Sequence, residues 1–539
     1  MKAIMRGDDR MNQLKRILCL TLALCIFSTP GFAKQDKERY KNRYIPVQIL
    51  GINDFHGQIN TFKTVNGKPA GGAAYMAAYL KQREAEVKNS LLVHAGDVVG
   101  ASAPASALLQ DEPTIEILNE LKFDVGTIGN HEFDDGYKAM FRLINGGKHK
   151  LTGDFEGAEF PYTAANVLDK KSEKPILPPY VIKKVNGMRI GFIGVVTTET
   201  PSIVLPEAVS SVKFIDEAKA INDAAKQLKK KGVKSIVVLA HVPVSSNQDG
   251  TNPSGELAEI ATEIDDEVDI LVGGHSHQFA NTVVDDKLIV QSYSSGTAFS
   301  DIDLKIDPKT KDIVEKKAEI VTTFHEGIKP HKKIQRMVQG YEEQVGPFIN
   351  EVVGTAEEEL TRSADASGES VLGNFIADVQ REAMKTDFAF MNPGGIRDNL
   401  YAGEITWGEL YNIQPFNNSL VKMTLTGEQI KDLLEQQWQE GGSKILQISG
   451  LTYNWNRAAP IGEKIGKIQT SEGKELLPNQ EYTVTVNNFL AGGGDGFTVL
   501  TNGSNVETGP IDLDALVNYI KKAQQPIKAP NEDRIKLVD

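Results

Sequence analysis

The sequence predicts two α/β domains in tandem, a layered one over residues 44–330 and a mixed one over 351–539, joined by a linker or hinge helix at 331–350. Three observations lead there. A chain of 539 residues exceeds what one ordinary core accommodates. Short apolar runs alternate with longer amphipathic segments, which is the rhythm of strands and helices in layered α/β folds. All nine histidines fall before residue 332, so the two halves differ in chemistry as well as in position.

In chain order, the first strands are expected at "VQILGI", "SLLVHAG", "DVGTIG", "MRIGFIGVV", "SIVVLAH", "VDILVGG" and "LIVQSYS". Helices are expected at "GGAAYMAAYLKQREAEVKN" and "EAKAINDAAKQLKKKG". The polar stretch "HEGIKPHKKIQRMVQGYEEQVGPFINEVVG" reads as a linker merging into a helix. Beyond it, strands such as "FAFMNPG", "LVKMTLTG" and "YTVTVNNFL" mix with helices such as "SVLGNFIADVQREAMK" and "TGEQIKDLLEQQWQE".

The first 33 residues read as a secretory signal peptide: Lys15 and Arg16, an apolar run from Ile17 to Phe27, then Gly31 and Ala33, with cleavage expected after Ala33. Met11 offers an alternative start, because "MNQLKR" opens a more usual charged leader. A lipid anchor at Cys25 is disfavoured by the bulky Leu24 before it. Cys19 and Cys25 are the only cysteines, so a mature chain has no disulfide or thiolate-held metal. No later apolar run is long enough to span a membrane. The expected location is therefore secreted, extracellular or periplasmic. The leader holds five basic and two acidic residues, and its removal takes the formal charge from −13 to −16. Such a surface argues against a nucleic acid polymer as partner but not against small phosphorylated substrates, which feel the local field. No protein partner is implied.

Five strand ends carry Asp, Asn and His: Asp54 and His56 after the first, then Asp97, then Asn130 and His131, then His241, then His275 and His277. Each alone reads as a turn, a cap or a hydrogen-bonded structural residue. Together they form a set that the carboxyl ends of strands bring to one place. Mixed carboxylate, amide and imidazole donors suit Zn, Mn, Co or Fe better than Ca. Seven donors exceed one zinc centre and match two divalent metal ions about 3.5–4 Å apart, sharing a carboxylate and clamping a phosphoryl displacement. "HEFDD" is not a zincin HExxH, and "AGGGDGF" lacks the Lys-Ser/Thr of a P-loop. His94, His149, His325 and His331 read as structural, as do Glu132 and Asp135.

The blocks "NDFHG", "AGDVVGAS", "GNHEFD", "AHVP" and "GGHSH", followed by "NPGGIR", "QPFNNS" and "NNFLAGGGDGF", resemble in content and order the metallophosphatase superfamily. The resemblance is to secreted bacterial 5'-nucleotidases/UDP-sugar hydrolases and ecto-5'-nucleotidase, and it covers nearly all of the mature chain. It implies a four-layered α/β/β/α metallophosphatase domain followed by an α+β substrate-binding domain. It implies one metal on Asp54, His56, Asp97 and His277, the other on Asp97, Asn130, His241 and His275, with a hydroxide between them as nucleophile. His131 would stabilise developing charge and assist the leaving oxygen, oriented by Asp134. In the second domain Phe416 and Phe489 resemble rings that sandwich a base. Asn392, Gly394, Gly395 and Arg397 resemble residues near phosphate and ribose, Asp495 a ribose-binding carboxylate, and Asn418 a base-contacting amide. Pro393 departs from the family's glycine-rich loop. The arginine often found before "LGN" is missing from "SADASGESVLGN", where the nearest is Arg362, so phosphate recognition is expected to rest on Arg397 and the metals.

The expected activity is hydrolysis of nucleoside 5'-phosphates. A 2',3'-cyclic nucleotide phosphodiesterase/3'-nucleotidase, a UDP-sugar hydrolase and a non-catalytic nucleotide-binding surface protein are the alternatives.

Overall fold

The computed structural model describes residues 44–439, 442–530 and 533–538, and the expected leader lies outside them. Two six-stranded sheets stack face to face in the first half. One runs Ile313–Thr322, Ala298–Ile306, Ile45–Ile52, Ser90–Ala95, Val125–Thr127, Tyr162–Thr163. The other runs Tyr180–Val185, Met188–Val196, Ser235–His241, Val268–Val272, Lys287–Ser292, Phe279–Val284. The central strands of each sheet pair in parallel. Parallel strands covered on both faces read as continuous apolar runs, and every residue of Ser235–His241 is buried.

The two-residue period of the strands divides the core into layers. Val47, Ile49, Val93, Leu239 and Val272 fill the space between the sheets. Leu50, Ile52 and Leu92 face outward against Ala73–Glu86 and Glu112–Leu121. Ile236, Val238 and Leu271 face outward on the other side, against Glu217–Lys230 and Glu256–Ile260. The order is helix, sheet, sheet, helix, as the resemblance implied.

Apolar runs did not reveal Phe279–Val284, Ala298–Ile306 or Ile313–Thr322. The last, at a sheet edge, buries only Ile313 and Val321 of "IVEKKAEIVT" and leaves Glu315, Lys317 and Glu319 exposed.

Lys332–Ile349 is one 18-residue helix, with the His331 ring accepting from Ile334 N at its start. Its Ile334, Val338 and Val345 enter the core beneath the first sheet. The second half centres on a sheet ordered Gln447–Ser449, Phe388–Met391, Glu481–Asn487, Ser419–Thr426, Ser504–Ile511. Val371–Met384 and Asp512–Lys522 share one of its cores, while Gly427–Glu435 shares the other with Trp438, Tyr453 and Phe497.

Asp269, in the buried strand Val268–Val272, accepts from Ile236 N and lies 3.8 Å from Lys316 Nζ. Burial pushes its carboxyl from 3.8 up to about 8. The folded protein therefore keeps a proton that the unfolded chain releases. Stability should fall as pH rises from about 4 to 8, by at most about 1.4 kcal/mol per pH unit. Asp269→Asn should flatten that slope. Melting temperatures across this window would show it, and parallel curves for both proteins would refute it.

Candidate active site

The parallel strands of both sheets end on the same side, and the loops leaving them carry the Asp, Asn and His residues. Asp54, His56, Asp97, His275 and His277 all have left-handed backbones, with φ of 50°, 52°, 49°, 73° and 55°. An L-residue reaches this region only at a cost, and surrounding contacts hold it there. Asp54 accepts from His275 N at 3.0 Å and from Asn53 Nδ2 at 2.7 Å. Asp97 Oδ1 accepts from His131 N at 2.9 Å.

Two groups of donor atoms result. In one, His56 Nε2 lies 3.1 Å from His277 Nε2, which is 3.4 Å from Asp54 Oδ1. In the other, His241 Nε2 lies 3.1 Å from Asp97 Oδ2 and 3.1 Å from Asn130 Oδ1, and His275 Nδ1 is 2.9 Å from that same oxygen. Asp97 Oδ2 is also 3.9 Å from His56 Nε2, so this carboxylate stands between the groups. His131 comes within ligand distance of His56 and Asp97.

These residues fit divalent cations. His56 Nδ1 donates to Gly100 O and His241 Nδ1 to Ala95 O, both at 2.9 Å, which leaves each Nε2 lone pair facing the cluster. Burial opposes charge on His241, yet Asp97, with Asp54 and Glu132 beyond, holds its imidazole up to about 10. A cation would take the place of that proton. Burial also opposes charge on Asp97, but His241 and His131 hold it well below the usual carboxylate range. Burial, with His241 beside it, takes His275 down to about 4.

The His131 ring donates through Nδ1 to Asp134 Oδ2 at 2.7 Å. Burial disfavours its charge, but Asp134 and Asp97 raise its pKa above the ordinary value. Glu132 is wholly enclosed and accepts backbone N–H from Asp97, Val98 and Gly129. Asp135, raised to about 6 by burial, lines the adjoining cavity.

That cavity, about 370 Å³, opens from the cluster between the two halves of the chain. Asn130, His131 and His275 line one end; Asn392, Gly394, Gly395, Arg397, Phe416, Asn418, Phe489 and Asp495 line the rest. Phe416 and Phe489 are half-buried and border open space, unlike core phenylalanines. The Phe416 ring lies 5.8 Å from the His131 ring at 17° between planes, and the Arg397 guanidinium is 5.8 Å from its centroid. Asn392 Nδ2 donates to Asp495 Oδ2 at 3.0 Å. Gly494 backs Phe489 so closely that a Cβ there would fall 2.4 Å from the ring.

Sequence reasoning missed one cation and gave another no role. Lys444 Nζ lies 3.1 Å from Asp495 Oδ1, and nothing in "GGSKILQ" marks it. Arg362, which directly precedes the arginine-free "SADASGESVLGN", donates through Nη1 to Arg397 O at 2.7 Å and lines a second cleft with Arg397. The remaining histidines have local partners: His94 packs against Phe160 and Tyr162, His149 accepts from Leu151 N, and His325 stacks on Tyr75.

Residues 47–279 match the calcineurin-like phosphoesterase model and residues 352–502 the C-terminal domain of 5'-nucleotidases. The chain is 44% identical to endonuclease YhcR of Bacillus subtilis over 94% of its own length, but it spans only 42% of that protein. It is 36% identical to cell wall protein Lmo0130 of Listeria monocytogenes, over 91% of this chain and 69% of the other. Among solved structures, a 5'-nucleotidase precursor from Thermus thermophilus superposes with a TM-score of 0.79 at 28% identity, covering 92% of this chain and 100% of that one.

A Cβ at Gly129 would lie 2.1 Å from Asp97 Oδ1 and 2.8 Å from His241 Cε1. Gly129→Ala should therefore displace Asp97 and weaken divalent-metal affinity about 10- to 100-fold with secondary structure retained. Metal titration followed by calorimetry measures this, and unaltered affinity would mean that the metals bind elsewhere.

Proposed function

This chain belongs to the 5'-nucleotidase family of calcineurin-like phosphoesterases, and from that premise we propose an exported two-metal enzyme that converts nucleoside 5'-monophosphates to nucleoside and phosphate. The observation that carries this reading is a single cavity with the His131–Asp134 pair and metal-ligand residues at one end and Phe416, Phe489 and Asp495 at the other. Its size suits a mononucleotide. The leader-like stretch over residues 1–33 supports export. Among the described residues no helix is long and apolar enough to cross a membrane.

Asp54, His56, Asp97 and His277 would hold one divalent ion, and Asp97, Asn130, His241 and His275 the other. Bound there, such ions neutralise phosphoryl charge and activate water. Arg397 is partly buried and lines the cavity, and no carboxylate among the described residues lies within salt-bridge distance of it. Its fork of donors is matched instead to an incoming phosphoryl group. Phe416 and Phe489 stack the base without demanding its identity. Asp495, held by Asn392 and Lys444, accepts the ribose hydroxyls. With Asp134 on Nδ1, His131 keeps a second proton at Nε2, which it gives to the departing 5'-oxygen.

A phosphate-release panel of AMP, UDP-glucose, 2',3'-cyclic AMP and p-nitrophenyl phosphate tests the reading, with AMP expected to lead. His131→Ala should lower kcat for AMP about 10²- to 10⁴-fold with metal content unchanged. Phe416→Ala should lower kcat/KM for AMP about 10-fold, the loss of one stacked base, and spare the aryl phosphate. Full activity of His131→Ala would sink the proton assignment. An equal loss on both substrates would sink the base-stacking role.

A further inference from the structure

Phe416 and Phe489 offer a base their faces, and a π-face is common to every nucleotide. Selection among bases needs a group at the base's edge. The first half of the chain supplies one. The segment that follows Met188–Val196 turns through the short helix Thr200–Ile203 and brings Glu199, Ile203 and Leu205 into the cavity lining. It leans on the loop between Phe489 and Asp495, where a Cβ at Gly492 would fall 3.3 Å from Pro206 Cγ. The base end of the cavity is therefore closed by the half of the chain that carries the metal-ligand candidates.

Five carboxylates line this cavity, and four of them belong to its other parts. Asp134 accepts from His131 Nδ1 at 2.7 Å and Asp111 from Ser106 Oγ at 2.7 Å. Asp135 follows Asp134 directly, on the His131 side. Asp495 is held by Asn392 and Lys444. Glu199 is the one on the segment at the base end, and its carboxylate has no hydrogen-bond or ion-pair partner among the described residues. Its surroundings add no counter-charge. Burial first, and then the carboxylates of Glu217 and Glu199, hold nearby Glu256 up to about 7. An exposed acceptor in such a field is matched to a ligand rich in N–H donors.

We infer that Glu199 reads the edge of the base and makes the enzyme prefer guanine nucleotides. This rests on the nucleotide reading of the cavity. A carboxylate only accepts, and its two oxygens match two parallel donors. Guanine presents such a pair in N1–H and its N2 amino group. Adenine and cytosine set an amino group beside a bare ring nitrogen, and uracil sets its single N–H between two carbonyls. Each of these turns a lone pair toward the negative charge, which is discrimination by repulsion. Hypoxanthine keeps N1–H but lacks the amino group, so it makes half of the contact. The amides of Asn417 and Asn418 also line the cavity, but an amide both donates and accepts and so distinguishes the bases less.

Initial rates of metal-loaded protein on GMP, IMP, AMP and UMP, with p-nitrophenyl phosphate alongside, test this. GMP should exceed the other three nucleotides in kcat/KM by about 10-fold, the effect of hydrogen bonds to one charged group that water can reach. Glu199→Gln keeps the shape and turns one acceptor into a donor. It should lower the GMP-to-AMP ratio of kcat/KM by about 10-fold. An independent readout is calorimetric binding of guanosine and inosine, which differ only in the N2 amino group and cannot be hydrolysed here. Guanosine should bind more tightly to the unaltered protein and no more tightly than inosine to Glu199→Gln. Equal turnover of GMP, IMP and AMP would overturn the inference and leave the nucleotidase reading standing. So would a preference for GMP and guanosine that survives Glu199→Gln. Cleavage of p-nitrophenyl phosphate and of none of the four nucleotides would instead overturn the nucleotidase reading, and this inference with it.

Discussion

The geometry of the site depends on one buried carboxylate that touches no other side chain in it by hydrogen bond. Glu132 accepts N–H groups from Asp97, Val98 and Gly129, and so ties the loop after Ser90–Ala95 to the loop after Val125–Thr127. Each donor is buried, and losing their common acceptor would leave them unsatisfied at about 1–3 kcal/mol apiece. With the loops pinned, backbones approach so closely that a Cβ at Gly96 would fall 2.6 Å from Gly129 N. That approach sets Asp97 beside Asn130 and His241, and it gives His131 N an acceptor in Asp97.

Around this clamp the chain accepts local strain. Five ligand candidates, two buried aspartates and three histidines, lie in left-handed conformations, each costing about 1–3 kcal/mol, and His241 adds a fourth imidazole beside them. Neither feature helps a core. Both are consistent with loops shaped around cations, since a left-handed residue turns the chain sharply enough to aim successive side chains at one point. The apolar layers beneath, which need no metal, supply the stability that holds such loops in place.

Much of this was legible in the residues. Strands buried on both faces announce themselves as apolar runs, and polar residues at their ends stand out against them; Asp97 after "LLVHAG" and His241 after "IVVLA" are clear instances. Ala298–Ile306 and Ile313–Thr322 were not legible, because the first interrupts its apolar residues with Ser300, Asp301, Asp303 and Lys305 although most of it is buried, and "IVEKKAEIVT" carries four charges in ten residues. The partnerships of Arg362 and Lys444 were hidden for another reason. A surface cation carries no periodic signal, and only the fold brings Arg362 to Arg397 or Lys444 to Asp495. The left-handed ligands were equally invisible, since Asp and His mark no backbone conformation as glycine does.

The second half of the chain does more than complete a wall. Its Phe416 ring lies parallel to His131 from the first half, with the Arg397 guanidinium beside the same ring. On the proposed reading, the proton donor, the phosphate cation and the base platform meet at one aromatic side chain on a loop of the second half. Lys63 binds Asp398 of the second half, and Asn60 binds Glu342 of the joining helix. A shift of one half against the other would separate His131 from Phe416 and Arg397 together. If those roles hold, chemistry and recognition are assembled by the same contact, which would couple correct seating of the base to the presence of the acid that acts on its phosphate.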